Sequence, residues 1–200
     1  MARPSTRRYL KGELTREQIL HAAKKLFTQN GYHNTSIYDL FQKAGITKGA
    51  FYHHWRTKED LALTILEEVK QAYMEHIYPV LEQEGRAREK IERTLKTIEE
   101  LNAKPDWCYC KLLATWSSEL SPEEDELGRA IHELRTRWLS FWEHLVHRAQ
   151  EEGDMRKDIP PQDLSLTVVS AIFGVCLQGK SSDQLPMHHA METLRKLLLT

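Results

Sequence analysis

Residues 35–61 read TSIYDLFQKAGITKGAFYHHWRTKEDL, and this stretch decides the fold of the first part of the chain. Apolar residues recur every three or four positions before Gly45 and again after Thr47, which is typical of two short helices joined by a tight turn. Leu40 and Phe51 are placed to pack the two helices at a steep angle. The pattern predicts a helix-turn-helix, whose second helix enters the major groove of DNA.

The second predicted helix carries side chains suited to DNA. Thr47, Lys48 and Gly49 stand at its N-terminus, where base edges and phosphates would approach, and Gly49 lets the backbone come close to the duplex. Tyr52 and His53 add a hydroxyl and an imidazole. A further lysine, Lys58, stands at the N-terminus of the next helix, where backbone N–H groups and the helix dipole favour a phosphate. The alternative is a helix pair of an ordinary α-bundle that never meets DNA.

The charge distribution favours the DNA-binding alternative. The 200-residue chain has a net charge of −1, but residues 1–60 carry 11 basic and 5 acidic side chains, a net +6. Residues 61–200 carry a net −7. A basic first region attracts polyanions. Its N-terminal arm, with Arg3, Arg7, Arg8 and Lys11, either follows the minor groove or forms a solvated tail, and the first helix is predicted to begin near Thr15.

Helical periodicity continues to the end of the chain. Few glycines and prolines interrupt it, and strand signals are nearly absent, so the sequence predicts an all-α protein of about nine helices. The predicted domains are a three-helix head, residues 1–60, and a larger helical body, residues 61–200. Ser121 and Pro122 are predicted to begin the longest body helix.

Composition excludes several classes of protein. Hydrophobic residues make up 40% and charged residues 28%, as in folded water-soluble proteins. The longest uncharged stretch, residues 164–179, is shorter than a membrane span, and no signal peptide is visible. Three cysteines are too few for a disulfide framework. We therefore expect a cytoplasmic protein.

Residues 15–66 resemble the DNA-binding domain of the TetR family of bacterial transcriptional regulators. The resemblance rests on four motifs: AAKKLF, GYHNTS, AGITKG and YHHWRTKEDL. The departures from the commonest pattern are Phe51, where leucine is usual, and Trp55, where phenylalanine is usual. Both keep an apolar contact. The remainder of the chain matches only as an all-α body of the expected size.

The resemblance implies roles for individual residues. Thr35 and Ser36 would meet the DNA backbone, and Thr47, Lys48 and Gly49 would face base edges. Phosphates would be bound by three further residues, Tyr52, His53 and Lys58. The family implies a homodimeric repressor that binds a palindromic operator and is released by a small-molecule ligand bound in residues 61–200. An activator with the same head is the alternative.

The last two predicted helices have more apolar surface than one chain of this size would cover. Packing them against a second copy in a four-helix bundle would bury that surface. The alternative is a monomeric core. The predicted dimer interface is formed by Val168, Ile172, Val175, Met191, Leu194 and Leu198.

Aromatic residues cluster in the body. They predict either an apolar pocket for a ligand or simply a core. The residues of the predicted pocket are Trp107, Tyr109, Trp116, Trp138, Phe141, Trp142 and Phe173.

The three cysteines suggest a different class of function. Cys108, Cys110 and Cys176 are either buried inert thiols or the trigger of a thiol- or metal-responsive sensor. The Cys-x-Cys spacing does not match the usual zinc spacing. No phosphate loop, nucleophile elbow or paired-carboxylate pattern is present, so the sequence predicts no catalysis, no cofactor and no metal.

Overall fold

The computed structural model describes residues 4–104, 107–123, 125–178 and 187–199, with side chains from residue 12 onward. Over these ranges the chain forms ten helices and no strand, and one of the ten is a single four-residue turn. The all-α prediction of about nine helices is therefore confirmed. The helices are α1 (Pro4–Asn30), α2 (Ile37–Ala44), α3 (Lys48–His54), α4 (Lys58–His76), α5 (Pro79–Glu82), α6 (Ala87–Asn102), α7 (Tyr109–Glu119), α8 (Glu126–Glu151), α9 (Pro161–Gln178) and α10 (Met187–Leu198).

The chain divides into two compact units, one ending at Glu68 and the other beginning at Val69. The boundary lies inside α4, so this helix contributes residues to both. The first unit contains α1, α2 and α3 and the beginning of α4; it extends the predicted head to Glu68 and keeps the name head below. Its core is formed by fully buried side chains from all four helices, among them Ile19, Phe27, Leu40, Phe51 and Leu61.

The first helix begins earlier than the sequence pattern predicts. It starts at Pro4, not near Thr15, so residues 4–14 continue the helix and do not form a tail. Proline is well suited to a first helical turn because its missing N–H group has no partner there. Arg3 and the side chains of Arg7, Arg8 and Lys11 lie outside the described residues.

The second unit, called the body below, is a helical bundle in which α9 packs against α7, α8 and α10. The longest body helix begins at Glu126 and not at Ser121, because the Asp125 carboxylate accepts from the Gly128 N–H and caps it. A Cβ at Gly128 would collide with the Ser121 carbonyl. The chain at Ser121 therefore folds back onto the first turn of α8. None of the described helices is long and apolar enough to cross a membrane.

Candidate nucleic-acid interface

The first helix of the pair, α2, begins with a reciprocal cap. The Asp39 backbone N–H donates to the Ser36 hydroxyl oxygen at 3.1 Å, and the Ser36 N–H donates to the Asp39 carboxylate at 2.9 Å. The Ser36 hydroxyl and N–H both lower the pKa of Asp39 because they bond to its charged form. The cap fixes where α2 begins and leaves Ser36 exposed.

The turn between the helices depends on a glycine. Gly45 has φ 63° and ψ 37°, the left-handed region that favours glycine, and the Ile46 N–H donates to the Phe41 carbonyl across the turn at 3.1 Å. The next helix is capped two residues later, where the Ala50 N–H donates to the Thr47 hydroxyl at 3.2 Å. Turn and cap together fix the direction in which α3 leaves α2.

The inner face of α3 is anchored by aromatic residues. Phe51 is fully buried and packs edge-on to Phe41, with ring centroids 5.6 Å apart. Trp55 is 6% exposed, and its indole N–H donates to the Thr64 hydroxyl at 2.9 Å. Both departures from the family pattern are thus buried, as predicted, and the tryptophan gains a bond that phenylalanine could not make.

The outer face of α3 presents the predicted contact residues together. Thr47, Lys48, Gly49, Tyr52 and His53 are all exposed. The Lys48 ammonium lies 5.8 Å from the centroid of the Tyr52 ring. A Cβ added at Gly49 would meet no atom within 4 Å, so nothing inside the protein requires glycine there. This exposed set, together with Ser36, is called the recognition surface below.

Two predicted contact residues do not lie on the recognition surface. Thr35 is fully buried, and its hydroxyl donates to the Gly31 carbonyl at 2.7 Å, so its side chain cannot meet DNA as expected. The Lys58 ammonium donates to the carbonyls of Tyr32 and Thr35 at 2.8 and 2.9 Å and lies over the Tyr32 ring. These bonds hold the segment that enters α2.

Sequence reasoning missed one exposed residue in this region. Tyr38 is 67% exposed and lies in the first turn of α2, two residues from Ser36. Its position was readable from the sequence, because the apolar face of α2 contains Ile37, Leu40 and Phe41 and leaves Tyr38 outside it. An exposed aromatic with a hydroxyl is suited to a phosphate contact beside Ser36.

The aromatic residues predicted to line a ligand pocket mainly form the core of the body. Trp116, Trp138, Phe141 and Trp142 are at most 3% exposed. The rings of Trp138 and Phe141 stack at 5.1 Å, and Trp142 packs edge-on to both at 5.8 Å. Each of these rings therefore fills space that a ligand would need.

The three other residues of the predicted pocket are half-buried. Trp107 and Tyr109 pack edge-on to each other at 4.8 Å, at the beginning of α7, and Phe173 lies on α9. Four of the seven predicted pocket residues thus lie in a packed core, and the other three are partly exposed.

A groove of about 330 Å³ opens beside this aromatic core. Its lining comes from the end of α4, the segment before α5 and the middle of α8. Tyr78 joins the groove to the core, because its ring packs against Phe141 at 5.4 Å. The lining residues, none of them predicted from the sequence, are Lys70, Met74, Tyr78, Leu134, Thr136, Arg137 and Ser140.

The residues predicted to form a dimer interface face inward. Val168, Ile172, Met191, Leu194 and Leu198 are at most 7% exposed within one protomer. Val175 is half-buried. Five of the six predicted residues therefore offer little surface to a second copy. On α9 the sequence could not show this, because the helix is apolar on several sides and its periodicity does not tell which side meets the core.

The cysteines are brought together in part. Cys110 and Cys176 are buried and both contact the Asn102 side chain, whereas Cys108 is half-buried. Among the described residues, no group of three or more histidine, cysteine or carboxylate side chains is arranged to hold a metal ion.

Comparison with known proteins is consistent across sequence and structure. The family model "Bacterial regulatory proteins, tetR family" matches residues 19–65. The transcriptional regulator LmrA of Bacillus subtilis (strain 168) is 26% identical over 194 residues, 92% of this chain and 96% of LmrA. The transcriptional repressor DhaR of Mycobacterium sp. (strain GP1) is 24% identical over 170 residues, 82% of each chain. Among solved structures, AibR in complex with isovaleryl coenzyme A and operator DNA has the same fold, with a TM-score of 0.78 at 17% identity over 92% of this chain and 97% of AibR.

Proposed function

We propose that the chain is a member of the TetR family of bacterial transcriptional regulators and acts as a homodimeric repressor, released from a palindromic operator by a small-molecule ligand. It is a regulator and not an enzyme. The observation that carries the proposal is the recognition surface: six exposed residues, Ser36 before α2 and five at or on α3, whose other face is anchored by Phe51 and Trp55. Because its target is operator DNA, we propose that it acts in the cytoplasm.

The proposed DNA contacts follow from exposure. Thr47, Lys48 and Gly49 face base edges, where the Lys48 ammonium also neutralises a neighbouring phosphate. Ser36, Tyr52 and His53 meet the phosphate backbone. In the proposal Thr35 and Lys58 act indirectly, since their bonds to the segment 31–35 position the beginning of α2. The proposed DNA-binding domain is residues 1–60, and residues 61–200 bind the ligand and form the dimer.

Binding-site selection from random DNA tests this assignment. The full-length protein should enrich a palindrome whose half-sites are about 34 Å apart centre to centre, the spacing of successive major grooves on one side of B-DNA. Enrichment of a single half-site, or of no sequence, would contradict a two-headed regulator. With the operator known, deleting the protein should raise expression of a reporter placed behind it, whereas an activator would lower it.

Replacing Lys48 with alanine should weaken operator binding and its dependence on salt. Removing this cation from each protomer should lower affinity by more than about 1 kcal/mol and reduce the salt slope by about 1 for each phosphate that is no longer neutralised. Tyr52→Phe, which removes only a hydroxyl, should lower affinity without changing the salt slope. Titrations at several salt concentrations measure both.

Lys43→Ala is the matched control for charge. Lys43 is also exposed but lies in the last turn of α2, outside the recognition surface. If this variant loses as much affinity as Lys48→Ala, the head binds DNA only through its overall charge and the proposed recognition surface is wrong.

The groove supports a class of effector. Its walls are apolar at Met74, Leu134 and Tyr78, two cationic residues, Lys70 and Arg137, line it, and no carboxylate is among its lining residues. An amphipathic anion, with an acyl chain against the aromatic core and a carboxylate or phosphate at Arg137, fits this distribution. AibR, which shares the fold, is solved with isovaleryl coenzyme A, a ligand that combines an acyl group with phosphates.

Arg137→Gln should lower the affinity for a straight-chain carboxylate such as decanoate about tenfold, the value of one hydrogen bond between charged groups. Decanol, which has the same chain without the charge, is the control ligand, and its affinity should not change. Calorimetry on the free protein measures both. If Arg137→Gln lowers the affinity for both ligands equally, Arg137 does not recognise the carboxylate and the proposed effector class is wrong.

The proposed mechanism of release needs only a difference in affinity. Two recognition surfaces bind one operator when the dimer holds them one helical turn of DNA apart. A ligand that binds more tightly to a dimer with another spacing lowers operator affinity, by its differential affinity for the two states and no more.

A further inference from the structure

Two buried cysteines of the body lie beside polar side chains that belong neither to the recognition surface nor to the groove. Cys110 lies in the first turn of α7 and is 4% exposed, and Cys176 lies in the last turn of α9 and is 5% exposed. Both sulfur atoms contact the side chain of Asn102, the Cys110 sulfur at 3.4 Å and the Cys176 sulfur at 4.0 Å. Since α7 and α9 pack against each other, the two sulfur atoms are held as neighbours by the bundle itself.

The Cys110 sulfur is surrounded by donors. The Asn102 side-chain N–H donates to it at 3.4 Å, and the Tyr73 hydroxyl lies 3.6 Å away. The same asparagine is held in place by a bond from its amide to the Ile98 carbonyl at 2.8 Å, and its side-chain oxygen is 4.0 Å from the Cys176 sulfur. Asn102 thus contacts both cysteines.

This arrangement stabilises a thiolate at Cys110. The hydrogen bond from Cys176 is the largest effect lowering the pKa of Cys110, burial acts in the opposite direction, and the bonds from Asn102 and Tyr73 add to the lowering. For Cys176, the hydrogen bond to Cys110 and burial both raise the pKa, so its proton stays on. Burial also raises the pKa of Tyr73, so its hydroxyl remains a donor. Cys110 is therefore the nucleophile of the pair, and Cys176 stays protonated.

An inert buried thiol would have a different environment. Such thiols pack among apolar groups and have raised pKa values, whereas the Asn102 amide donates to the Cys110 sulfur and the Tyr73 hydroxyl lies 3.6 Å from it. The position of Cys110 in the first turn of α7 adds the positive end of the helix dipole.

We propose that Cys110 and Cys176 are a dithiol that hydrogen peroxide oxidises to a disulfide. The Cys110 thiolate attacks one peroxide oxygen, the O–O bond breaks, and the departing hydroxide takes up a proton to leave as water. Cys110 becomes a sulfenic acid, and the peroxide is reduced. The Cys176 sulfur then attacks the Cys110 sulfur, the S–O bond breaks, and the Cys176 proton leaves with the hydroxyl group as a second water.

Peroxide treatment of the reduced full-length protein tests the proposal. Intact-mass measurement should show the loss of two hydrogen atoms, and peptide mapping should find one disulfide, between Cys110 and Cys176. The Cys176→Ser variant should instead accumulate a sulfenic acid on Cys110, which dimedone traps. Cys108→Ser is the matched control, since Cys108 stands two residues away and is more exposed, and it should react as the parent protein does.

The rate of oxidation distinguishes a stabilised thiolate at Cys110 from a thiol that reacts only because solvent reaches it. Cys110 should react with hydrogen peroxide faster than free cysteine at the same pH, and Tyr73→Phe should slow the reaction about tenfold by removing one bond to a charged group. Oxidation that begins at Cys108, a disulfide that includes Cys108, or a parent protein that reacts no faster than free cysteine would each overturn the proposal. These readouts concern sulfur chemistry alone and do not depend on DNA binding.

Discussion

Leu166→Arg combined with Leu197→Arg is expected to convert the dimer into a monomer and to lower operator affinity by a factor of about 10²–10⁴. That factor is the usual advantage of two linked binding sites over one. The two leucines are 56% and 69% exposed in the protomer, so arginine at these positions should leave the fold intact. Sedimentation measures the oligomeric state, and operator titration measures the affinity.

Leu166 and Leu197 lie on the faces of α9 and α10 that the protomer leaves uncovered. With Val168 and Met191 turned inward, the outward side of α9 carries Leu166 and Gly174, and the outward side of α10 carries Leu197. A Cβ at Gly174 would meet nothing within 4 Å in the protomer, so a second copy could approach the helix backbone closely there. We propose that this outward side, and not the predicted inward one, forms the four-helix contact between protomers.

Val168→Ala is the matched control on the inward face. Because Val168 is fully buried, the variant should lower the free energy of unfolding by about 2 kcal/mol and remain a dimer. If the arginine variant stays dimeric while Val168→Ala dissociates, the interface uses the inward residues and the proposed face is wrong. Since each arginine adds positive charge, a loss of DNA affinity could not come from electrostatics.

Gly49→Ala is expected to weaken operator binding at least tenfold without destabilising the protein. A Cβ at residue 49 has open space in the protein alone, so any collision must come from the DNA. Alanine is also the better helix former, so the free energy of unfolding should stay the same or rise by up to about 1 kcal/mol. Operator titration and thermal unfolding of the same preparation separate the two effects.

Gly45, in the turn between α2 and α3, should give the opposite result and serves as the comparison. Gly45→Ala places a side chain at φ 63°, so it should destabilise the turn itself and lower the unfolding temperature. If Gly49→Ala keeps full operator affinity, the N-terminus of α3 does not approach the duplex closely and the proposed docking is wrong. Sedimentation of Gly49→Ala should show an unchanged dimer.

The sequence by itself determined the local architecture of the head. Caps at Ser36 and Thr47 and a left-handed turn at Gly45 depend on residues within four positions of one another, so they are readable from spacing. The same holds for the outer face of α3, because burying Phe51 leaves Lys48, Gly49 and Tyr52 outside. The residue types alone also make the first region basic and the remainder acidic.

Only the tertiary structure decided which surfaces of the body are inside. The apolar residues of α9 surround much of the helix, so periodicity could not choose between Val168 and Leu166 as the core-facing residue. Whether Trp138 and Trp142 line a cavity or fill it depends on rings from Tyr73 and Phe141, and Tyr73 is far away in sequence. Burial is a property of packed neighbours, and those neighbours come from helices that no local pattern connects.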